Sequence, residues 1–329
     1  MNEFELIGRF FDRGRNRDPT GERTVLGIGD DCALLTPPRA GHLLAVSSDM
    51  LVEGRHFFAG TDAAAIGHKT LAVNLSDLAA MGAEPLAFTL ALALPAVDVA
   101  WLEAFTGGLF ALAERHRCPL VGGDTTRGPR CLSVTVFGDV PAATALRRDA
   151  ALPGDDVWVS GPLGGAAGAV AARRAGTMVE PAAAERLDWP RPRLGLGQAL
   201  RGLARAAIDL SDGLAGDLGH ILAASSARCG QRLGADLVAE SIPIDATLAV
   251  LDPERAMTLA LHGGDDYELL FTADRAGRER IAVLATGDGF DAGPPLRIGT
   301  IVVGTAIRLL AAGAAPRSIA GGGFDHFAD

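Results

Sequence analysis

The chain has 329 residues, of which 48% are hydrophobic and 21% are charged. This length suggests two domains, and this composition excludes a disordered or coiled-coil protein. The net charge of −10 argues against nucleic acid as a main partner and requires that any anionic substrate meet local cations. No uncharged apolar run reaches the roughly 20 residues of a membrane helix. We therefore expect a cytoplasmic protein with neither nucleic acid nor membrane as a partner.

The first part of the chain is predicted to alternate strands and helices. Apolar runs of strand length cover residues 25–31, 43–49, 86–94, 120–124 and 132–140. Helical patterns cover residues 3–11, about 61–81, and 99–117. Gly107 and Gly108 are expected to weaken the last of these helices.

The local composition changes near Arg148 to a turn-forming Pro-Gly-Asp-Asp segment. This change marks the predicted domain boundary, which divides the chain into residues 1–148 and 149–329. The second part is predicted to contain strands at 157–160 and 207–213, helices at 166–175, about 196–206 and 217–227, a crossing loop at 187–197, and a turn before a strand at 262–272. Both parts mix helices and strands, which predicts two domains of the α/β or α+β class.

Aspartates recur where apolar strands end in small residues. These acids are Asp30 and Asp31, Asp49, Asp124, Asp209 and Asp212. Any single one is equally well explained as a turn residue or a helix cap. Together they would repel one another strongly, so a divalent cation is implied, and their oxygens suit Mg²⁺ or Ca²⁺ better than zinc.

Asp77 lies on the flank of a helical stripe formed by Leu71, Leu75 and Leu78. A half-buried carboxylate at this place needs a donor, a cation or a metal, and a structural hydrogen bond or ion pair is the simplest explanation from the helix alone. The recurring acids favour a shared metal site instead.

Other common sites are missing from the sequence. There is no GxxxxGK[ST] loop, no GxGxxG after a strand, no EF-hand loop and no nucleophile elbow. The four cysteines form no CxxC pair and are expected to be reduced. Of the histidines, only His56 follows a strand that ends in an acid, whereas His42, His68, His116 and His220 are expected on solvated surfaces.

Six segments together resemble the thiamine-monophosphate kinase family of the aminoimidazole ribonucleotide synthetase superfamily. They are GIGDDCALL, SSDMLVEGRHF, KTLAVNLSDLAAMGAEP, LVGGDTTRG, IDLSDGL and GGDDYELLF. The resemblance runs from about residue 4 to the end of the chain. It implies a two-domain ATP-binding fold of the aminoimidazole ribonucleotide synthetase type, in which the N-terminal domain binds ATP and metal and pairs in a homodimer, and the C-terminal domain completes the site. The implied reaction transfers the γ-phosphate of ATP to thiamine monophosphate, with several Mg²⁺ ions as cofactors.

The resemblance also implies a role for each matching residue. The implied metal ligands are Asp31, Ser47, Ser48, Asp49, Asp77, Asp124, Asp209 and Asp212. The implied ATP contacts are Gly123, Asp124, Arg148 and Ser211. The implied contacts to the thiamine side are His56, Asp265 and Phe324. No catalytic base and no covalent nucleophile is expected.

This chain departs from the family pattern at three places. Ser47 and Ser48 replace a Ser-Thr or Thr-Thr pair and keep the hydroxyls. Asp149 replaces a small residue and is expected to add a negative charge near ATP. Asp265 shortens an acid that is commonly glutamate, although a carboxylate beside a cationic thiazolium is still expected physically.

Two alternative functions remain open from the sequence. One is another ATP-dependent enzyme of the superfamily, such as selenophosphate synthetase or aminoimidazole ribonucleotide synthetase; the absence of cysteine from residues 1–31 counts against the former. The other is a non-catalytic protein that binds or senses divalent metal, against which Arg148 and Gly122-Gly123 indicate a bound phosphate.

Overall fold

A computed structural model describes residues 2–12, 23–284 and 293–319 of the chain. The described residues fall into two compact units. The first comprises residues 1–78 and 83–143, and the second comprises residues 79–82 and 144–329. The predicted assignment of residues 1–148 and 149–329 to domains with separate roles stays a prediction.

The first unit is built on a four-stranded sheet with the strand order β3-β6-β4-β5. Its strands are β3 (His42–Val52), β4 (Glu84–Leu94), β5 (Leu120–Arg127) and β6 (Cys131–Pro141). β6 pairs antiparallel with β3 and β4, whereas β4 pairs parallel with β5. A short hairpin-like pair of β1 (Thr24–Leu26) and β2 (Leu34–Leu35) lies outside this sheet. The prediction of 86–94 as an interior strand is confirmed.

Two long helices supply the core of this unit, α2 (Ala63–Ala80) and α3 (Val99–Arg115), while α1 (Glu3–Leu6) continues into a π-helical turn at Ile7–Phe11. Leu71, Leu75 and Leu78 of α2 are fully buried, as their spacing predicts.

Glycines allow α2 and α3 to pack closely. A Cβ atom on Gly67 would lie 1.9 Å from the Phe105 carbonyl oxygen, and one on Gly108 would lie 1.9 Å from the Ala64 carbonyl oxygen. The predicted helix runs through Gly107 and Gly108 without a break, and Gly108 is needed for its close approach to α2. The surface assignment of His68 is wrong, because this residue of α2 is buried.

The second unit is built on a seven-stranded sheet with the order β13-β12-β9-β11-β7-β10-β8. Its strands are β7 (Asp156–Val159), β8 (Ala204–Asp209), β9 (Leu233–Val238), β10 (Leu269–Ala273), β11 (Leu296–Val303), β12 (Ile307–Leu310) and β13 (Arg317–Ile319). All neighbours are antiparallel except β12 and β9.

Six α-helices accompany this sheet within the described residues. They are α4 (Gly165–Arg174), α5 (Pro181–Asp188), α6 (Leu194–Ala199), α7 (Leu214–Cys229), α8 (Pro253–His262) and α9 (Arg278–Ala282). Leu214, Leu218, Ile221 and Leu222 of α7 are buried in the core of this unit. None of the helices in the described ranges combines the length and the hydropathy needed to cross a membrane.

Two sequence predictions fail between residues 180 and 206. The crossing loop at 187–197 is shorter than predicted, because α5 ends at Asp188 and α6 begins at Leu194. The helix predicted to reach residue 206 ends at Ala199, where Gly202, at φ +72°, marks the turn into β8. Alanines tolerate both helix and strand, so pairing with β10 decides the state of residues 204–209.

Candidate functional site

Ser47, Asp49 and Asp77 are brought together where β3 lies beside α2. The Ser47 hydroxyl donates to Asp77 Oδ2 at 2.5 Å. Asp49 follows two residues later on the same face of β3, and its backbone N–H donates to Asn74 Oδ1 at 3.0 Å. Asn74 and Asp77 are three residues apart, and so they share one side of α2. Asn74 was not predicted as a site residue, although its position beside Asp77 on the helix was the available signal.

The carboxyl group of Asp49 is poorly solvated and lies near a second negative charge. Burial, and after it the charge of Asp77, raises the pKa of Asp49 to about 6. Two carboxylates that disfavour each other's ionisation provide hard oxygen ligands and concentrate negative charge in one place. The residues present therefore fit a divalent cation such as Mg²⁺.

Ser48 faces the other way from these residues. Its hydroxyl donates to the Val134 carbonyl at 3.0 Å and lies 3.1 Å from Thr135 Oγ1 on β6. Successive side chains of a strand point to opposite faces, so the Ser48 hydroxyl is not brought together with Ser47 and Asp49. A metal-binding role for Ser48 stays a prediction.

A cavity of about 870 Å³ in the first unit is lined by three further predicted residues, Asp31, Gly123 and Asp124. It is lined at one side by Gly29, Asp30, Asp31 and Cys32, and at another by Gly122, Gly123 and Asp124. Asp30 Oδ1 accepts the backbone N–H of Asp31 at 2.8 Å, which fixes the turn that carries both acids. Asp31, Gly123 and Asp124 therefore share one concave surface, as the recurring acids predict.

Gly123 cannot be replaced without strain. Its φ angle is +147°, and a Cβ atom would lie 1.9 Å from the Leu90 carbonyl oxygen of the parallel strand β4. The absence of a side chain lets the strand approach closely and leaves the backbone of β5 open to a ligand.

His56 is fixed by a backbone hydrogen bond. The N–H of Val52 donates to His56 Nδ1 at 3.0 Å. Because a backbone N–H is always a donor, Nδ1 carries no proton here, and the neutral ring carries its proton on Nε2. His56 is therefore arranged as a donor through Nε2.

In the second unit, the loop after β8 brings several predicted residues together. Asp209 is buried at the end of β8, and the Ser211 carbonyl accepts the backbone N–H of Asp265 at 3.0 Å. The N–H of Asp212 donates to Asp217 Oδ2 at 3.1 Å.

Asp217 and His220 are neighbours of this loop that sequence reasoning missed. One ligand atom from each of Asp212, Asp217 and His220 lies within 4.8 Å of the others. Burial is the main reason that the pKa of Asp217 rises to about 7, and the charge of Asp212 adds to it. The i, i+3 spacing of Asp217 and His220 on α7 was the available signal. His220 is exposed, as expected.

The charge of Asp149 is compensated locally. Arg147 donates to both carboxylate oxygens at 2.9 and 2.7 Å, and Arg228 donates to Oδ1 at 2.9 Å. The hydrogen bond from Arg147 is the main cause that lowers the pKa of Asp149. The expectation of an added negative charge near ATP is therefore corrected. Arg148, which lies between Arg147 and Asp149 in the sequence, is exposed and makes no ion pair with the residues that the structure describes.

Asp265 lies in a tightly constrained segment. Its φ angle is +70°, and the Tyr267 hydroxyl donates to Asp265 Oδ1 at 3.2 Å. The neighbouring carboxylate of Asp266 accepts the backbone N–H of Gly164 at 3.0 and 2.8 Å. Burial raises the pKa of Asp266 well above its usual range, and the nearby charge of Glu268 adds to the shift. Phe324, predicted to contact substrate, lies outside the described residues.

The fold and these acids define a class of protein. The family described as AIR synthase related protein, N-terminal domain, matches residues 29–140, which carry the cavity and the Ser47–Asp77 contact. The chain thus contains the N-terminal domain of the aminoimidazole ribonucleotide synthetase superfamily.

Similar proteins that align with most of the chain identify the family within this superfamily. The thiamine-monophosphate kinase of Escherichia coli (strain K12) is 48% identical over 288 residues, which are 85% of this chain and 85% of the relative. The crystal structure of thiamine-monophosphate kinase from Stenotrophomonas maltophilia K279a is 48% identical, with a TM-score of 0.83 over 95% of this chain and 97% of that one. A structure described as AaThiL complexed with AMPPCP and TMP is 27% identical, with a TM-score of 0.73 over 88% of this chain and 89% of that one. The chain belongs to the thiamine-monophosphate kinase family.

Proposed function

We propose that this protein transfers the γ-phosphate of ATP to thiamine monophosphate, producing thiamine diphosphate and ADP, and that it acts in the cytoplasm. The observation that carries the proposal is the 48% identity to a thiamine-monophosphate kinase over 85% of the chain. A relative bound to AMPPCP and TMP supports the same pair of substrates.

Magnesium is the proposed cofactor. Asp31, Asp49, Asp77, Asp124 and Asp209 are the proposed carboxylate ligands, with Ser47, Ser48 and Asp212 contributing. The raised pKa of Asp49 supports this assignment, because a nearby cation would offset the cost of ionising a buried carboxyl group and the repulsion between Asp49 and Asp77. When bound, magnesium supplies positive charge that screens the phosphates of the two substrates.

The acceptor needs no catalytic base. It is a phosphate monoester with a second pKa of about 6, so its oxygen is mostly ionised at neutral pH. A direct reaction forms a bond from this oxygen to the γ-phosphorus and breaks the bond to the β,γ-bridging oxygen, whose electrons leave with ADP. The chief obstacle is the repulsion between two anions, inside a protein whose own net charge is −10.

Arg148 is the cation that we assign to the phosphates of ATP. Arg147 and Arg228 are occupied by Asp149, whereas the exposed Arg148 makes no ion pair within the described ranges. Its guanidinium group is thus available for a phosphate. Gly123, Asp124 and Ser211 are the other proposed ATP contacts, and the open backbone at Gly123 supports this role.

His56 is proposed to bind substrate as a hydrogen-bond donor. The bond from Val52 to Nδ1 leaves the ring proton on Nε2, which suits an acceptor atom of the substrate and disfavours proton abstraction. Asp265 and Phe324 are the other proposed contacts to the thiamine side, and the carboxylate of Asp265 suits a cationic acceptor.

We also propose a homodimer in which the N-terminal domains pair. The outward face of β3 exposes Leu44, Val46 and Met50, at 48%, 56% and 54%. An exposed strand face of this kind, largely apolar apart from Ser48, favours association with a second copy. Val46→Asp should shift the sedimentation coefficient toward that of a monomer, and a wild-type chain that sediments as a monomer would contradict the proposal.

A coupled ADP-release assay tests the function. Thiamine monophosphate should support turnover with ATP and magnesium, whereas thiamine and hydroxymethylpyrimidine phosphate should not. Equal turnover with hydroxymethylpyrimidine phosphate would refute the proposed acceptor.

The stereochemistry of transfer tests the mechanism. An isotopically chiral γ-phosphate should be transferred with inversion, and His56→Ala should keep the shape of the kcat–pH curve. Retention of configuration, or loss of one limb of that curve, would indicate a covalent intermediate or a true base.

A further inference from the structure

The segment from Asp265 to Tyr267 has an unusual backbone. Asp265 has a φ angle of +70° and Tyr267 has a φ angle of +49°. Residues other than glycine adopt this left-handed conformation at an energetic cost, and such residues concentrate at functional sites. The surrounding structure must therefore hold the segment in place.

Hydrogen bonds to the preceding loop provide that support. The backbone N–H of Asp265 donates to the Ser211 carbonyl at 3.0 Å, and the N–H of Tyr267 donates to the Leu210 carbonyl at 2.9 Å. Both anchors lie in the loop that follows β8, which carries the proposed ATP contact Ser211. The two anchored residues, Asp265 and Tyr267, are separated by one residue, and their side chains meet.

Tyr267 is the single tyrosine of the chain, and only 8% of its surface is exposed. Its hydroxyl donates to Asp265 Oδ1 at 3.2 Å. This hydrogen bond joins a rigid, buried ring to the carboxylate of Asp265. A bond of this length before substrate binds is common at active sites, where such bonds shorten in the substrate complex.

We propose that Tyr267 is a positioning residue for the acceptor. Its hydroxyl holds the carboxylate of Asp265 in the orientation that receives the cationic part of the acceptor. A buried hydroxyl that fixes a ligand-binding carboxylate lowers the entropy lost on binding. The inference rests on the proposed function and on the proposed contact of Asp265 with the thiamine side.

Tyr267→Phe removes only the hydroxyl and keeps the ring. The KM for thiamine monophosphate should rise about 3- to 10-fold, which corresponds to the loss of one hydrogen bond. The KM for ATP should stay within about twofold, because no ATP contact is altered. In an Asp265→Ala background, the same substitution should change neither KM further, because the carboxylate that it orients is gone.

Thr272→Val is the matched control. Thr272 is also a buried hydroxyl residue of the second unit, and it accepts the N–H of Ala206 at 3.3 Å, away from the Asp265–Tyr267 segment. Its loss should lower the thermal midpoint without changing the KM for thiamine monophosphate.

The single tyrosine offers a second readout that does not depend on turnover. Protein labelled with 3-fluorotyrosine should give one ¹⁹F signal, which should shift on addition of thiamine monophosphate in the wild type and not in Asp265→Ala. Any of four results would overturn the inference. The first is a ¹⁹F signal that does not move in the wild type, and the second is an unchanged KM for thiamine monophosphate in Tyr267→Phe. The others are an equal rise in the KM values for thiamine monophosphate and ATP in Tyr267→Phe, and additive effects of Tyr267→Phe and Asp265→Ala. A wild-type protein that does not phosphorylate thiamine monophosphate would instead overturn the proposed function.

Discussion

The hydroxyl of Ser47 on β3 donates to the carboxylate of Asp77 on α2 at 2.5 Å. This hydrogen bond joins the edge strand of the first sheet to the helix that covers it. It also orients one carboxylate oxygen of Asp77 before any metal binds, which reduces the reorganisation that binding requires.

Asp77→Asn removes the negative charge of this side chain and keeps its shape, so it tests whether the charge is needed. The amide oxygen still accepts from Ser47, so the variant should fold, but metal-dependent turnover should fall by at least about 100-fold because a ligand charge is lost. The measurement is kcat as a function of magnesium concentration. Asp98→Asn, at the N-cap of α3, is a control that should leave activity unchanged. Near-full activity of Asp77→Asn at low magnesium would contradict its assignment as a ligand.

Gly122 and Gly123 should respond differently to alanine. A methyl group on Gly123 meets the Leu90 carbonyl at 1.9 Å, whereas one on Gly122 meets only Thr89 Cγ2 at 3.8 Å. Gly123→Ala should therefore destabilise the fold by about 1–3 kcal/mol and weaken ATP binding, while Gly122→Ala should do neither. Thermal unfolding and nucleotide titration of the pair test this. Equal behaviour of the two variants would show that the backbone at Gly123 is not constrained.

Magnesium binding should weaken as the pH falls through about 6. Burial, together with Asp77, raises the pKa of Asp49 to about 6 in the metal-free protein, so a proton competes with the cation below that pH. Calorimetric titration in buffers of different ionisation enthalpy should detect proton release near pH 6. Asp49→Asn should abolish that release. An affinity for magnesium that is constant between pH 5 and 7.5 would contradict the prediction.

Asp266 should make the fold less stable as the pH rises. Its folded pKa lies well above the unfolded value of 3.8, so between these values the unfolded chain is ionised while the folded protein is neutral. Its contribution to the free energy of unfolding is thus complete below pH 3.8 and is lost as the pH rises toward the folded pKa. Asp266→Asn keeps an oxygen for the Gly164 N–H, and the variant should be at least as stable as the wild type at pH 8.

Asp149 provides the comparison of opposite sign. Its pKa is lowered by Arg147 and Arg228, so its contribution is present above the unfolded value of 3.8 and is lost as the pH falls through the folded pKa. Urea unfolding should therefore show Asp149→Asn less stable than the wild type by nearly the same amount at pH 4.5 and pH 8, and by a smaller amount at a pH below 3.8. An Asp266→Asn variant that loses stability chiefly at pH 8 would show that the ionised carboxylate of Asp266 is favourable.

Strong periodicity made much of the fold predictable. The leucines of α2 and the apolar run of β4 specified their elements because each pattern matches one kind of secondary structure. Several elements of the second unit were not predicted, namely α5, β9, α8, α9, β11, β12 and β13. For α8 a local signal existed, since Asp252 caps the N-terminus and Pro253 follows it. Residues 204–206 of β8 had no local strand signal and were predicted as helix, whereas residues 207–209 lie within the strand predicted at 207–213.

The site was predictable in its residue types and less so in its contacts. Acids at strand ends predicted a shared concave surface, and Asp31 and Asp124 do line one cavity. Compensation of Asp149 by Arg228 joins residues 79 positions apart, which no local pattern reveals. The opposite orientations of Ser47 and Ser48, by contrast, follow from the alternation of side chains along the strand predicted at residues 43–49.

The close packing of α2 on α3 limits how the Asp77 carboxylate can move. Gly67 and Gly108 place backbone against backbone, so neither helix can slide along the other without a collision between main chains. Sliding by one residue would displace Asp77 by about 1.5 Å, more than a positioned reaction tolerates. Large side chains at either glycine should therefore impair catalysis at a distance, and a screen for cold-sensitive or inactive variants should recover substitutions there, far from any substrate.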